Sequence, residues 1–126
     1  MKSYKLSFGE IIVHNVNLAE VIVNEGIIMG LSHVAEYHDF LQSKLVAPFS
    51  ILVNKKNQYS YDFNAQRVIG DIKGLHKFAV LVTGVGGVMS TETLIDINKN
   101  NEWNIKLFRE REAALGWLIS SKKEVS

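Results

Sequence analysis

The sequence predicts an α/β fold in a single domain, with a mixed, mostly parallel sheet and helices on both of its faces. Two continuous apolar runs, residues 49–53 and 78–82, are typical of strands buried on both faces of a parallel sheet. Segments with apolar residues at three- and four-residue steps alternate with these runs and indicate amphipathic helices. The chain has 126 residues, 47% of them hydrophobic, which suffices for one domain with a substantial core.

The N-terminal segment predicts two antiparallel strands. Apolar residues alternate at Ile11 and Val13 and again at Val21 and Val23, as in half-buried strands. Residues 15–17 form the predicted hairpin, because asparagine tolerates left-handed turn geometry. The first of these strands is the predicted antiparallel edge of the sheet. Its unpaired backbone groups would allow a homodimer without requiring one.

A first helix is predicted over residues 32–45, with Ser32 as its N-cap because the hydroxyl can accept a hydrogen bond from a first-turn amide. Pro48, the single proline, precedes the next strand, where its missing N–H costs little. The apolar stripe of this helix comprises Leu31, Val34, Tyr37, Leu41 and Leu45.

A second helix is predicted from Asp62, its N-cap, to about Lys73, with Gly74 closing it. Ser90 or Thr91 begins the predicted third helix, which follows the strand at residues 78–82. The residues of the second helix that should face the core are Phe63, Ala65, Ile69 and Ile72.

The chain is predicted to end with a strand over residues 104–108 and a helix over residues 110–120. Trp117 should lie at the centre of the core, Trp103 should be partly exposed, and Lys122 and Lys123 should complement the helix C-terminus. The inward residues of this helix should be Ala113, Ala114, Trp117 and Leu118. The predicted order is ββαβαβαβα, one domain over residues 1–126 with right-handed crossovers.

Composition and motifs exclude several classes of function. The chain has no cysteine, and therefore no thiol nucleophile or cysteine-ligated metal. The net charge of +1 gives no general attraction to nucleic acid, and no apolar run approaches the about 20 residues that span a bilayer. His33 and Glu36 lack the spacing of a zinc-protease motif, and there is no Gly-x-Ser-x-Gly motif. We expect a cytoplasmic, non-catalytic protein without metal or cofactor.

The chain resembles the STAS-like domains of bacterial anti-sigma-factor antagonists and, more closely, small stand-alone STAS/CRAL-TRIO-like bacterial proteins. The segments that carry the resemblance are Leu6-Ser7-Phe8-Gly9, residues 23–27, Ala47-Pro48-Phe49, residues 57–62 and residues 108–118. The resemblance implies a regulatory or binding module. Antagonists that are switched by phosphorylation carry Asp-Ser-Ser-Gly or a similar motif where the first long parallel strand meets its helix. Residues 59–62 of this chain are Tyr-Ser-Tyr-Asp without a glycine, so a phosphorylation switch at Ser60 does not follow from the resemblance.

A binding site is predicted where two buried strands end, because ligands of open α/β sheets bind at the carboxyl ends of the strands. The first segment mixes cations, amides and aromatic rings, and the second is a glycine-rich turn before a helix. An acidic peptide or a small anion is the expected ligand, and a neutral partner surface is the alternative. Asp62 would weaken an anion site unless capping occupies its carboxylate. The candidate residues are Lys55, Lys56, Asn57, Tyr59, Ser60 and Tyr61 in the first segment, and Gly84, Gly86, Gly87 and Ser90 in the second.

Two structural explanations compete with this site. Residues 54–62 could be an ordinary solvated loop whose tyrosines pack over the sheet edge, and residues 84–90 a strand-to-helix turn capped by Ser90. The expected function is a non-catalytic regulatory or partner-binding module. The alternative is a small-ligand or lipid-like binding protein with a pocket between sheet and helices, which requires an apolar cavity of about 300 Å³ or more.

Overall fold

The structure, a computed structural model, describes residues 1–120, so the predicted role of Lys122 and Lys123 lies outside the described residues. A turn of 3-10 helix, Lys99–Asn101, precedes the last strand. In chain order the other elements are β1 (Lys2–Leu6), β2 (Gly9–Asn15), β3 (Leu18–Val23), β4 (Ile28–Met29), α1 (Leu31–Lys44), β5 (Phe49–Lys55), β6 (Ser60–Tyr61), α2 (Phe63–Val68), β7 (Leu75–Val82), α3 (Val85–Ile97), β8 (Ile105–Phe108) and α4 (Arg111–Ile119).

The main sheet has six strands in the order β1-β2-β3-β5-β7-β8. The first three strands pair antiparallel, and β3, β5, β7 and β8 pair parallel. This confirms the predicted α/β class and the mixed, mostly parallel sheet. It also confirms the hairpin at residues 15–17, since Asn15 pairs with Leu18 across it.

The predicted order ββαβαβαβα lacks three strands. β1 is the antiparallel edge in place of β2. Three of its five residues, Lys2, Ser3 and Lys5, are polar and exposed, so the sequence carries little apolar signal there. The short strands β4 and β6 form a separate parallel pair. The homodimer stays a prediction; exposed lysines along an edge are a common protection against edge-to-edge pairing.

Different helices cover the two faces of the sheet. Ile51 and Val53 of β5 belong to the larger core, which also contains residues of α1, α2 and α3. Leu52 points to the opposite face and packs with Ala114 and Leu118 of α4. Because the parallel strands follow one another in sheet order, right-handed crossovers place α1, α2 and α3 on one face. Helix α4 follows the last strand and covers the other.

Helix α1 begins one residue earlier than predicted. Its N-cap is Gly30 rather than Ser32, and the Gly30 N–H donates to Nδ1 of His33 at 3.1 Å. Ser32 is the second residue of the helix and therefore cannot be its N-cap. Leu31 is 51% exposed, whereas the rest of the predicted stripe is buried.

Helix α2 is shorter than predicted. Asp62 is its N-cap as expected and accepts from the Ala65 N–H at 2.8 Å, but the helix ends at Val68. Phe63 is 68% exposed and does not face the core. Gly74 does not close this helix; it directly precedes β7 with a φ of 96°, a conformation that favours glycine.

Helix α4 buries Ala114 and Leu118 as predicted, but Ala113 is exposed. Trp117 is only half buried, with its ring 5.5 Å from that of Phe108. Trp117 therefore lies at the margin of the smaller core cluster and not at the centre of the core. Trp103 is partly exposed, as predicted, and its indole N–H donates to Asp71.

Replacing Trp117 with alanine should lower the free energy of unfolding by about 1–2 kcal/mol, because a half-buried ring loses less contact than a buried one. Urea unfolding of the variant measures this loss. The control is Leu118→Ala in the same helix, where the side chain is 6% exposed and about 2–5 kcal/mol should be lost. A larger loss of unfolding free energy for Trp117→Ala than for Leu118→Ala would show that the Trp117 ring lies at the centre of the core after all.

Candidate functional site

Hydrogen bonds join the segment after β5 to the end of β3 and to the loop that follows β3. The Asn57 side-chain amide donates to the carbonyl of Val23 at 2.9 Å. The Gln58 N–H donates to Oε1 of Glu25 at 3.1 Å, and the Gly26 N–H donates to the Gln58 carbonyl at 2.7 Å. These bonds order the segment, so it is not simply a solvated loop.

Lys55 is half buried at the end of β5. Its Nζ lies 4.4 Å from the ring centroid of Tyr59 and 5.7 Å from that of Tyr61. It also lies 3.4 Å from Oγ of Ser90 in α3. Burial lowers the pKa of Lys55, since removal from water disfavours the charged form. The structure therefore brings the two predicted segments together at this side chain.

The two tyrosines form a compact pair beneath the lysine. Their rings meet edge to face at 5.5 Å, and their hydroxyl oxygens are 3.2 Å apart. Burial raises the pKa of Tyr61 to about 12, with the hydrogen bond from Tyr59 opposing it. Burial also raises the pKa of Tyr59 well above its ordinary value, with Tyr61 adding to the effect. Both hydroxyls are thus neutral at physiological pH.

Residues 84–90 are not the predicted turn before a helix. They comprise the N-cap and the first two turns of α3, which begins at Val85 with Gly84 as its N-cap. Neither Ser90 nor Thr91 starts the helix. Ser90 Oγ instead donates to the carbonyl of Gly87 at 3.2 Å. The first turn carries no acidic residue, and Gly84 has no side chain to occupy the first-turn amides.

A groove of about 420 Å³ separates the two segments. Ser60 is exposed on β6 and Tyr61 faces the sheet interior, so neither lines it. Asp62 does not line the groove either, and one of its carboxylate oxygens caps α2. The lining contains two lysines and no carboxylate, and its residues are Lys55, Lys56, Asn57, Gln58, Tyr59, Thr83, Gly84, Val85, Gly86, Gly87 and Ser90.

The space between the sheet and the α1–α2 layer is nearly filled. A void there measures about 10 Å³ and is lined by apolar side chains together with Tyr37 and Tyr61. That volume is at the lower limit for one water molecule. The void is far below the size that the lipid-like alternative requires.

A buried ionic cluster lies on the α4 face of the sheet. Of its members, only Asn54 belongs to a predicted binding segment, residues 54–62. Glu20 of β3 is 2% exposed, and both of its oxygens bind Arg111, at 2.6 and 2.9 Å. His14 Nε2 and the Asn54 side-chain amide each lie 2.9 Å from the same carboxylate. Burial raises the pKa of Glu20, but hydrogen bonds from Arg111, His14 and Asn54 outweigh it and lower the pKa to about 2.

A second missed residue is Lys77, which is 4% exposed on β7. Its Nζ donates to the carbonyls of Trp117 and Ser120 at 2.7 and 3.1 Å. These carbonyls lie at the C-terminal end of α4, so the lysine satisfies acceptors that the helix leaves unpaired. A charged residue inside an apolar run was the available sequence signal for Glu20, whereas Lys77 follows His76 at the start of its run and carries no such signal.

The histidines that could have suggested a metal site serve other roles. His33 accepts from Gly30, and Glu36 accepts from the N–H and hydroxyl of Ser7. His38 Nε2 lies 2.9 Å from the carbonyl of Ile69. Within residues 1–120, no three histidine, aspartate or glutamate side chains converge as metal ligands.

Comparison with known proteins found no match to this sequence among family models, curated proteins or solved structures. Among the helices of residues 1–120, none has the length and apolar character needed to cross a membrane. The chemistry of the site must therefore be inferred from the geometry of the groove itself.

Proposed function

We propose that the protein is a non-catalytic, partner-binding module whose groove receives an acidic segment of another protein. The observation that carries this proposal is the lining of the groove, to which the described part of the chain contributes two lysines and no carboxylate. The STAS-like regulatory role belongs to the same proposal. Its support is the mixed sheet with a helix following each parallel strand.

The electrostatics of the groove favour an anionic guest. No ion pair of Lys55 occurs within residues 1–120, so its charge is available to a ligand. Because the side chain is half buried, solvent screens it less than an exposed lysine. The N-terminus of α3 borders the same groove and adds a partial positive charge. Lys56 is exposed, and its mobile side chain can contact an anionic ligand at the mouth of the groove.

The tyrosine ring at the groove favours a peptide over a bare anion. Tyr59 lines the groove and presents a flat apolar surface, which protein interfaces commonly use. The fixed segment after β5 needs little ordering on binding, so less conformational entropy is lost. For the small-ligand or lipid-like alternative, the interior void of about 10 Å³ is too small. The open cleft of about 490 Å³ between α3 and β8 is large enough, but charged side chains line it together with apolar ones, namely Glu92, Asp96, Lys99 and Arg109.

A chemical-shift titration tests the proposal with two probes, a ten-residue glutamate-rich peptide and inorganic phosphate. We expect shifts centred on residues 55–59 and 84–90, and tighter binding of the peptide than of phosphate. Lys55→Ala should weaken peptide binding about tenfold, since a hydrogen bond to a charged group is lost. The matched control is Lys73→Ala, because Lys73 is exposed and lies outside the groove.

Two outcomes would contradict the proposed site. One is a set of shifts on the outer face of α1. The other is a double variant, Lys55→Ala with Lys56→Ala, that binds the peptide as tightly as the unmodified protein. Tighter binding of phosphate than of peptide would instead indicate a small-anion site.

A further inference from the structure

Lys55 is partly removed from bulk water and also borders an open groove. The side chain is half buried and lines the groove of about 420 Å³. That volume lies within the range of small-molecule sites. Lys77, in contrast, is sealed beneath α4 with Nζ bound to two carbonyls, and Lys56 is exposed to solvent.

The surroundings of Lys55 raise its fraction of neutral amine above that of an exposed lysine, while the ammonium stays the form that an acidic ligand would bind. An amine attacks a carbonyl only through its free lone pair, and a carboxylate beside it would hold the proton on the nitrogen. Among residues 1–120 no carboxylate lines the groove, and burial lowers the pKa of Lys55. The other titratable groups facing Nζ are Tyr59 and Tyr61, which are neutral, and Lys56 lies next in the chain and adds like charge. The tyrosine rings favour the cation by cation–π attraction and oppose the effect of burial.

We propose that Nζ of Lys55 is a covalent attachment point for small aldehydes, which it captures as an imine. The nitrogen lone pair forms a bond to the carbonyl carbon, and the carbonyl oxygen becomes the hydroxyl of a carbinolamine. That hydroxyl then leaves as water with a proton from the nitrogen, and a carbon–nitrogen double bond remains. One amine and one aldehyde thus yield one imine and one water, without any oxidant or reductant.

Ser90 is placed to assist the loss of water. Its hydroxyl lies 3.4 Å from Nζ of Lys55 and lines the same groove. It can therefore pass a proton between the nitrogen and the departing oxygen. An aldehyde that also carries an anionic group should be captured faster, and this part of the inference rests on the proposed function.

The test compares two aldehyde probes, pyridoxal and pyridoxal 5′-phosphate, at pH 8. Borohydride, added after a short exposure, donates a hydride that converts each imine to a stable secondary amine, and peptide mass spectrometry locates it. Lys55 should be labelled at least about fivefold faster than Lys73 by pyridoxal alone, and faster still by pyridoxal 5′-phosphate. Lys55→Arg keeps the positive charge and should abolish the selective label while circular dichroism shows the native fold.

The two probes separate this inference from the proposed function. Selective labelling by pyridoxal, without any gain from the phosphate, supports the reactive amine and counts against the anion site. Labelling of Lys55 at the rate of Lys73 by both probes overturns the inference, whatever the peptide titration shows. Ser90→Ala should slow labelling of Lys55 without changing that of Lys73, and an unchanged rate would remove Ser90 from the step.

Discussion

Replacing Phe8 with alanine should lower the free energy of unfolding by about 3–5 kcal/mol, because the variant leaves a cavity the size of a phenyl ring. Phe8 is fully buried, although it lies in the turn between β1 and β2. Its ring meets those of Tyr37 and His33 edge to face at 6.2 and 6.3 Å. Urea unfolding followed by tryptophan fluorescence and by circular dichroism measures the loss.

The matched control is Phe63→Ala, which removes the same atoms from a residue that the sequence placed in the core. Phe63 is 68% exposed and contacts the Arg67 guanidinium at 5.0 Å. Its loss should cost less than about 1 kcal/mol. If Phe63→Ala proved as destabilising as Phe8→Ala, the sequence-based assignment of Phe63 would be correct and the observed exposure wrong.

Replacing Arg111 with alanine should lower the free energy of unfolding by about 2–4 kcal/mol, because the buried carboxylate of Glu20 then lacks its strongest partner. This loss is smaller than the loss of about 3–5 kcal/mol that follows from breaking a fully buried ion pair. The reason is that Arg111 is 44% exposed and that His14 and Asn54 still bind the carboxylate. Arg111→Lys should recover only part of the loss, because an ammonium cannot bind both oxygens in the fork geometry of a guanidinium.

The control for Arg111 is the nearby Arg109→Ala, in which an exposed arginine is removed from the loop before α4. This variant should unfold within about 0.5 kcal/mol of the unmodified protein. Equal losses in Arg109→Ala and Arg111→Ala would show that general charge, and not the contact with Glu20, sets the stability of this region.

The same cluster predicts how stability depends on pH. The pKa of Glu20 is about 2 in the folded state against an ordinary value of 4.5. Between these values the unfolded chain binds more protons, so stability rises with pH. The contribution of Glu20, about 3 kcal/mol, is therefore complete above about pH 5 and is lost as the pH falls toward 2. In Glu20→Gln this part of the acid dependence should disappear, and an unchanged acid profile would rule it out.

The candidate site was predictable to the extent that local patterns and sheet geometry determine it. The apolar runs of β5 and β7 indicated neighbouring parallel strands, and the ends of such strands meet at one sheet edge. Lys55, Tyr59 and the glycines at the start of α3 are therefore close to one another. The local pattern did not predict where α3 begins, because glycines in a first turn read as a loop.

The sequence by itself determined the fold class, the hairpin, the buried strands and the edge at which the groove forms. These follow from periodicity and turn chemistry, which act over a few residues. The tertiary structure alone decided that β1 joins the sheet, that Phe8 is buried while Phe63 is exposed, and that Glu20 pairs with Arg111. The last two residues are 91 positions apart, and no local spacing relates them. They meet because β3 and the start of α4 are brought to one face of the sheet, where a buried carboxylate needs a cation and hydrogen-bond donors.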